Sequence, residues 1–363
     1  MDVSTIRKIR NLYAIENILF LGKGNLRIYP GMDLIVARDV FTRLPLTQVL
    51  DAIEEIKASG AKYLLTTTFL NRTNKQLEWN PIWNPICLFN APFRFPQPLE
   101  LISEQCMMTF PDYLDKSLGL WRVADLPTYI PRHIIQCWHS KELPPLLDEN
   151  CARIRRAHPG FRHTVFSFDD CEAFLGNFDP KVLRAYQNLI PSAYKCDLLR
   201  YCILYVYGGI YFDISFELNS FNFLEVIHAE HFSTEVAGLV PYGDDPYKGV
   251  SNGLMILHPK NKIMKQTIYA IVDNVEKQFY GRGVYDITGA VLLGSFFTVE
   301  EKKKLVIKRQ VTMVSNRLTS NGWSLHSKLI LKRMEDYDRG LPGRTGQTYI
   351  KHWWDKTVFK STT

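Results

Sequence analysis

The chain has 363 residues, of which 46% are hydrophobic and 13% aromatic, and its formal net charge is +7. That length suits two domains or one large one, and that apolar content builds a packed core, so a disordered chain is excluded. The basic balance allows an anionic partner such as a nucleotide diphosphate, but no Lys/Arg block carries interleaved aromatics. Nucleic acid is therefore not expected.

Along residues 1–24, Arg7, Lys8, Arg10 and Glu16 interrupt any apolar run, so a signal peptide is not expected. Nowhere do apolar residues approach the roughly 18–20 of a membrane span. Met32 to Ala37 reads as a short strand opened by Pro30-Gly31. Leu46 to Ala58 reads as an amphipathic helix with Val49, Ile53 and Ile56 on one face, ended by Ser59-Gly60. Lys62 to Phe69 is β-prone throughout, a Pro- and Trp-rich loop spans Trp79 to Pro98, and Leu99–Ile102 with Leu118–Val123 resemble a closing antiparallel pair.

Asp33-Leu-Ile-Val-Ala-Arg38-Asp39-Val40, Leu44-Pro45, Ser59 to Thr68, Pro92 to Ile102 and Lys116 to Trp121 make residues 1–127 similar to the C-terminal half of a class I S-adenosylmethionine-dependent methyltransferase. Such enzymes bind their cofactor on a glycine-rich loop after the first strand. Only Gly22-Lys23-Gly24 offers one, and it lies too near the next strand, so a truncated remnant of a Rossmann-like domain is expected. Arg38 and Asp39 are the residues that a surviving methyl-transfer site would use.

From residue 128 the order is strand (Ile130–Trp138), helix (Asp148–His158), strand (Thr164–Phe168), a helix capped by Asp169-Asp170, and a helix over Pro180–Leu189. That alternation is the pattern of a nucleotide-binding α/β half. Ser192 to Tyr207 then reads as a helix broken by Gly208-Gly209, followed by a strand over Ile210–Glu217. Asp213 sits inside this apolar strand, where an ionised carboxylate costs several kcal/mol unless a cation or strong donors meet it. Alternation would place Asp213, Ser215 and Glu217 on one side, with Glu217 about 13 Å along from Asp213. Ile263 to Phe279 reads as an amphipathic helix. The seven cysteines are scattered without a CxxC pattern, which argues against a disulfide framework or zinc site and for a reduced, cytoplasmic protein.

Asp197-Leu-Leu-Arg200-Tyr201 followed by Gly208-Gly209-Ile210-Tyr211-Phe212-Asp213-Ile214-Ser215 resembles the DXD region of glycosyltransferase family 32, related to the clostridial glucosylating toxins. Ser215 stands where that family carries its second Asp. The resemblance implies a GT-A-type α/β domain over residues 128–363 that moves a sugar from a nucleoside-diphosphate sugar to a glycan or protein acceptor, with retention of configuration. It also implies Mn²⁺ or Mg²⁺ on Asp213, Ser215 and His352, the last on a closing loop with Trp353-Trp354. Hard oxygen ligands suit either ion, and a Lewis acid offsets charge on the departing diphosphate. By the same resemblance Trp138 is a base platform with Gln136 beside it, and Asp197 and Arg200 hold sugar or phosphate oxygens. Tyr211, Asn252, Thr288, Gly289 and Trp354 line the substrate site. Three alternatives stand beside this reading: a methyltransferase, a degenerate nucleotide-sugar or glycan binder, and a bifunctional protein whose methyl-transfer half a second chain completes.

Overall fold

The computed structural model describes residues 3–22, 27–75, 83–104, 113–235, 249–314, 317–334 and 348–360. The chain divides into two compact units, Met1–Tyr129 with Leu224–His228, and Ile130–Phe223 with Ala229–Thr363.

The first unit runs α1 (Val3–Leu12), β1 (Ile18–Phe20), β2 (Leu34–Ala37), α2 (Leu46–Ala58), β3 (Tyr63–Phe69), β4 (Glu100–Ser103) and β5 (Lys116–Arg122). Strands β1, β2 and β3 are parallel, β5 runs antiparallel to β3, and β4 runs antiparallel to β5, giving the order β1-β2-β3-β5-β4. All four residues of β2 are buried, as an inner parallel strand covered on both faces requires. The expected helix buries Val49, Ile53 and Ile56 completely, each worth ~1.5–3 kcal/mol. Not expected were α1, which seats Ile9 with Leu34, Val36 and Leu65, and β1. Of the Gly22-Lys23-Gly24 segment, Gly22 lies just beyond β1, and the other two fall outside the described residues.

The second unit opens with β6 (His133–Cys137), α3 (Pro145–Ala157), β7 (Arg162–Phe166), α4 (Phe168–Phe178), α5 (Pro180–Asn188) and α6 (Ser192–Tyr207). It continues with β8 (Gly209–Phe212), β9 (Phe216–Leu218), β10 (His231–Glu235), β11 (Gly249–Leu257), α7 (Lys262–Glu276), α8 (Ala290–Gly294) and α9 (Val299–Lys304). It ends with β12 (Ile307–Val314), β13 (Arg317–Leu325), β14 (Lys328–Arg333) and α10 (Thr348–Trp354). The sheet order is β7-β6-β8-β11-β10-β12-β13-β14-β9; β7, β6 and β8 are parallel, and β11 is antiparallel to β8. Helix α6 is buried at Tyr194 and from Leu198 through Leu204, which is why apolar residues fill most of its faces, with Asp197 and Arg200 the charged exceptions. Gly208 (φ +62°) and Gly209 (φ +109°) end it in conformations that L side chains avoid. Neither has room for a side chain: a Cβ on Gly208 would lie 2.6 Å from Pro259 N, and one on Gly209 would run into the His133 carbonyl.

Three sequence expectations are corrected. The strand over Thr164–Phe168 ends at Phe166, because Ser167 is the N-cap of α4: it accepts the Asp170 N–H in a capping box, so Asp169-Asp170 cap nothing further along. The strand over Ile210–Glu217 is two strands. β8 stops at Phe212, the Phe216 N–H bonds back to the Asp213 carbonyl at 3.1 Å, and β9 crosses to pair with β14 at the sheet's far edge. Asp213, Ser215 and Glu217 therefore do not share a strand face; Glu217 pairs with Arg153 (2.9 Å) and Lys332 (3.1 Å). Lastly, His352 lies on helix α10 rather than a loop.

Candidate functional site

Asp213 leaves the carboxyl end of β8, the position at which open α/β sheets bind ligands. Its Oδ1 accepts from Arg200 Nη1 (2.8 Å) and from the Tyr211 hydroxyl (2.9 Å), and its N–H donates to the Gly253 carbonyl (3.0 Å). Gly253 also leaves space for the carboxylate, since a Cβ there would sit 2.9 Å from Asp213 Oδ2. That oxygen takes no hydrogen bond from a described residue, and the side chain is 36% exposed.

Arg200 is the hub. Besides Asp213 it donates to the Asn252 carbonyl (3.0 Å) and the Cys196 carbonyl (3.2 Å), and Nη2 lies 3.3 Å from Asp197 Oδ1. Its guanidinium stacks 4.6 Å from the Tyr211 ring centroid. Asp197 and Arg200 meet because three residues are one helical turn. Asp197 is held in turn by the Asn252 amide (2.8 Å) and the Thr288 hydroxyl (2.8 Å), and Thr288 is held by Tyr201, whose hydroxyl donates to its carbonyl at 3.1 Å. Burial raises the Asp197 carboxyl to about 6, a rise opposed by Arg200 and by these two hydrogen bonds.

A cavity of about 300 Å³ opens beside this cluster, lined by Trp138, Arg200, Tyr211, Asp213, Ser215 and Arg333, with Cys196 and the first turn of α6 at its wall. The structure thus gathers Asp213, Arg200, Tyr211, Ser215 and Trp138 into one place. Trp138 is largely core, packed on Leu147, Ile214 and Met334, with an edge on the cavity.

Other nominated residues lie elsewhere. Asp197, Asn252 and Thr288 stand behind Arg200 and fix it rather than lining the cavity. Gln136 is wholly buried; its Oε1 accepts from His163 Nε2 (3.0 Å) and its amide reaches the Phe212 carbonyl (3.5 Å), so it presents nothing to a ligand. Gly289 precedes α8 and lines neither this cavity nor the one described below. His352 bonds through Nδ1 to the Thr357 hydroxyl (2.8 Å), and Trp354 lines a different cavity, with Trp353, Tyr285 and Arg282. Neither reaches Asp213 through a described contact. The sequence reading missed Arg333, His139 and Phe168 as lining residues. His139 could have been found, because it follows Trp138 and its ring lies 4.5 Å from the indole. Arg333 carries no local signal.

Residues 144–230 match a family described as a glycosyltransferase sugar-binding region containing a DXD motif. The chain is 36% identical over 91 residues to an uncharacterized glycosyltransferase, L373, of Acanthamoeba polyphaga mimivirus, covering 23% of this chain and 35% of that one. It is 29% identical over 93 residues to inositol phosphoceramide mannosyltransferase 3 of Schizosaccharomyces pombe, covering 25% of each. The chain thus spans a quarter to about a third of the length of these curated relatives. Among solved structures it is similar to the PaToxG glycosyltransferase, with a TM-score of 0.36 and 17% identity over 47% of this chain and 69% of the other; a likeness at that level carries no argument. The resemblance read from Asp197 to Ser215 is borne out: this segment lies within the residues that match the DXD-containing glycosyltransferase region, in a mixed α/β unit.

Proposed function

We propose that residues 128–363 form a GT-A-type transferase that moves a hexosyl group from a nucleoside-diphosphate sugar to a hydroxyl acceptor, with the cavity at the end of β8 as its donor site. The observation that carries this reading is Asp213, a carboxylate with one oxygen unclaimed by any described residue, at a strand end within the DXD region and facing a cavity that holds an indole and two guanidinium groups. The Trp138 edge offers the base a stacking surface, which tolerates many bases. Arg200 and Arg333 place positive charge where the departing diphosphate builds negative charge, the largest single service such a site supplies. Asp197, Asn252 and Thr288 act through Arg200 by fixing where its fork points.

A divalent cation fits this site only in part. Among the described residues no three His, Cys, Asp or Glu side chains converge on one point. Asp213 Oδ2 and the Ser215 hydroxyl are the candidate ligands. Ions of the Mg²⁺ type are commonly held by one or two carboxylates together with substrate phosphates, so the donor's diphosphate would complete the set. When bound, Mn²⁺ or Mg²⁺ would add to the positive charge met by the leaving group. Retention of configuration is carried over from the family resemblance. Mannosyl donors head the panel to test, because a relative is named a mannosyltransferase and its name gives an inositol phosphoceramide acceptor. No described helix is long and apolar enough to cross a membrane. A reducing, cytoplasmic setting is our reading of the cysteines: six lie among the described residues, all free and five of them buried.

The test is nucleotide-sugar hydrolysis and thermal shift with UDP, GDP and dTDP hexoses, with and without Mn²⁺, on wild type and Asp213→Asn. Turnover of one donor that drops about 100-fold or more in the variant, the scale of losing one electrostatic group, supports the transferase. Silence from both proteins, with nucleotide-dependent stabilisation, would reduce the reading to a binding protein.

A second reading concerns residues 1–127. The order β1-β2-β3-β5-β4, with a reversed β5 between β3 and β4, supports a methyltransferase-like remnant. Stabilisation by S-adenosylmethionine would turn the remnant into a working site, alone or with a second chain.

A further inference from the structure

A second cavity, of about 250 Å³, is lined by Arg282, Val284, Tyr285, Asp286, Trp353 and Trp354 together with Gly283 and Val291. Two features set it apart from ordinary surface. Trp354 is 70% exposed although indole is among the largest apolar bodies a protein carries. It is also held: Trp354 stands edge-on to Trp353 (4.9 Å, 79°), and the Trp353 indole N–H donates to the Tyr280 carbonyl at 2.7 Å. Positive charge rims the same place. Lys356 Nζ sits 4.6 Å from the Trp353 ring, and no described residue pairs with the Arg282 guanidinium. The Arg282 backbone is fixed, its N–H donating to the Asp286 carboxylate at 2.8 Å.

The loop that forms this cavity also supports the donor site. The Tyr194 hydroxyl donates to the Val284 carbonyl (2.9 Å), and Thr288, two residues beyond Asp286, holds Asp197 (2.8 Å). Ser192 and Ala193, in the first turn of the same helix as Tyr194, line the donor cavity. The start of α6 therefore adjoins both cavities, and a helix with its side chains is only ~10–12 Å across.

We propose that the second cavity is the acceptor site and takes one polyhydroxylated ring bearing a phosphate, the ring lying on Trp354 and the phosphate on Arg282. This rests on the donor-site reading above. A sugar or cyclitol ring has a C–H face that an exposed indole matches and a hydroxylated rim that reaches polar groups. A phosphate suits the planar guanidinium fork, which pairs with it bidentately. The volume, just under the ~300–1,000 Å³ of drug-sized sites, suits one ring and not a nucleotide sugar. In transfer, an acceptor hydroxyl oxygen bonds to the anomeric carbon and gives its proton to the departing diphosphate. The carbon's bond to that diphosphate breaks and its electron pair leaves with the diphosphate.

The experiment compares wild type, Trp354→Ala and Arg282→Met. The acceptors are free inositol 1-phosphate and phosphatidylcholine vesicles containing phosphatidylinositol. Both variants should raise acceptor KM about tenfold and lower the ratio of transfer to donor hydrolysis. An effect confined to the free ligand or to the vesicles identifies which source the site serves. Titrating inositol 1-phosphate against intrinsic tryptophan emission reads the cavity without catalysis. A change lost in Trp354→Phe supports the site even if donor hydrolysis is absent, in which case the donor reading alone falls. Unchanged KM in both variants, no emission change, or binding of plain phosphatidylcholine vesicles that needs Trp354 would each overturn the proposal.

Discussion

Both units gather charged side chains at the end of a sheet, yet only one of them looks like a site. In the first unit Arg38 and Asp39 follow β2, Glu104 follows β4 and Lys116 opens β5. Lys116 Nζ meets Asp39 (2.9 Å) and Glu104 (3.0 Å), and Arg38 meets Glu104 at 2.6 Å. Two cations answer two anions: Lys116 Nζ reaches both oxygens of Asp39, and the Thr67 hydroxyl also donates to Oδ1 at 3.1 Å. In the second unit one guanidinium, Arg200, answers two carboxylates, and one oxygen of Asp213 is left toward a cavity. Location alone does not make a ligand site. In the quartet each carboxylate already has a cation against it, whereas an oxygen that no described residue meets, beside open space, still has a bond to make.

The contrast breaks most visibly at Arg200. Arg200→Ala leaves Asp197 buried with no cation and should cost ~3–5 kcal/mol in urea unfolding, with donor turnover lost as well. Arg200→Lys should recover part of the stability but not the turnover, because an ammonium does not span two carboxylates and the Asn252 carbonyl. A loss below ~1 kcal/mol for Arg200→Ala would mean the cluster is solvated and no hub at all. Lys116→Met is the matching test in the first unit. Arg38 still serves Glu104, so the expected cost is smaller, about 2–3 kcal/mol, and donor turnover per folded molecule should hold. If turnover falls with Lys116, the quartet belongs to the working machinery and the two strand ends differ less than their geometry says.

Acid sharpens the comparison, because the second unit also buries histidines. Burial depresses His133, His158 and His163 each to about 4. His158 is satisfied only when neutral: its Nδ1–H donates to the Ile154 carbonyl (3.2 Å) while Nε2 accepts the Phe223 N–H (3.1 Å). Between pH 6.5 and 4 the unfolded chain binds more protons at these three groups, so their stability is full above about pH 6.5 and drains away as pH falls toward 4. Asp197, raised to about 6, works in the opposite sense, but it is one group against three. Thermal midpoints should therefore drop from pH 7 to pH 5, with His158 alone worth about 2 kcal/mol at pH 5. A flat profile would show that these imidazoles reach water.

What the sequence disclosed about the site was local. Asp197 and Arg200 sit three apart on a helix, and Gly208-Gly209 delivers the chain to Asp213; those relations need no distant partner. Asn252 and Thr288 were nominated from motif likeness and do arrive at the cluster, but as supports of Asp197, because only tertiary structure decides which way a side chain is used. The end of β8 was hidden. Ile214 and Phe216 continue the apolar alternation without a Gly or Pro, and what stops the strand is the pairing of β9 with β14, far along the chain. Arg333 was invisible for the same reason, since it becomes a cavity residue only through that pairing. In the first unit, β2, α2 and β3 were legible from period and composition, whereas the charges scattered through Val3–Leu12 masked a helix that, among its described side chains, buries Ile9 alone.

The smallest expected effect tests Ser215 itself. It is buried against the cavity wall, and its carbonyl accepts the Met334 N–H at 3.1 Å, so the backbone is fixed whatever side chain stands there. Ser215→Asp would add a second carboxylate beside Asp213. Without an ion the two would repel, with Arg333 in the same cavity to offset part of the charge. With a nucleoside diphosphate present, the pair would gain a charged ligand for the cation. Mn²⁺ affinity in the presence of nucleotide should rise about tenfold, worth ~1.4 kcal/mol, while wild type without nucleotide should bind the ion weakly or not at all. If calorimetric titrations show no difference between the two proteins, the Ser215 position does not face the ion. Asp213 would then be the only described ligand, and the guanidinium groups of Arg200 and Arg333 would carry the charge of the leaving diphosphate.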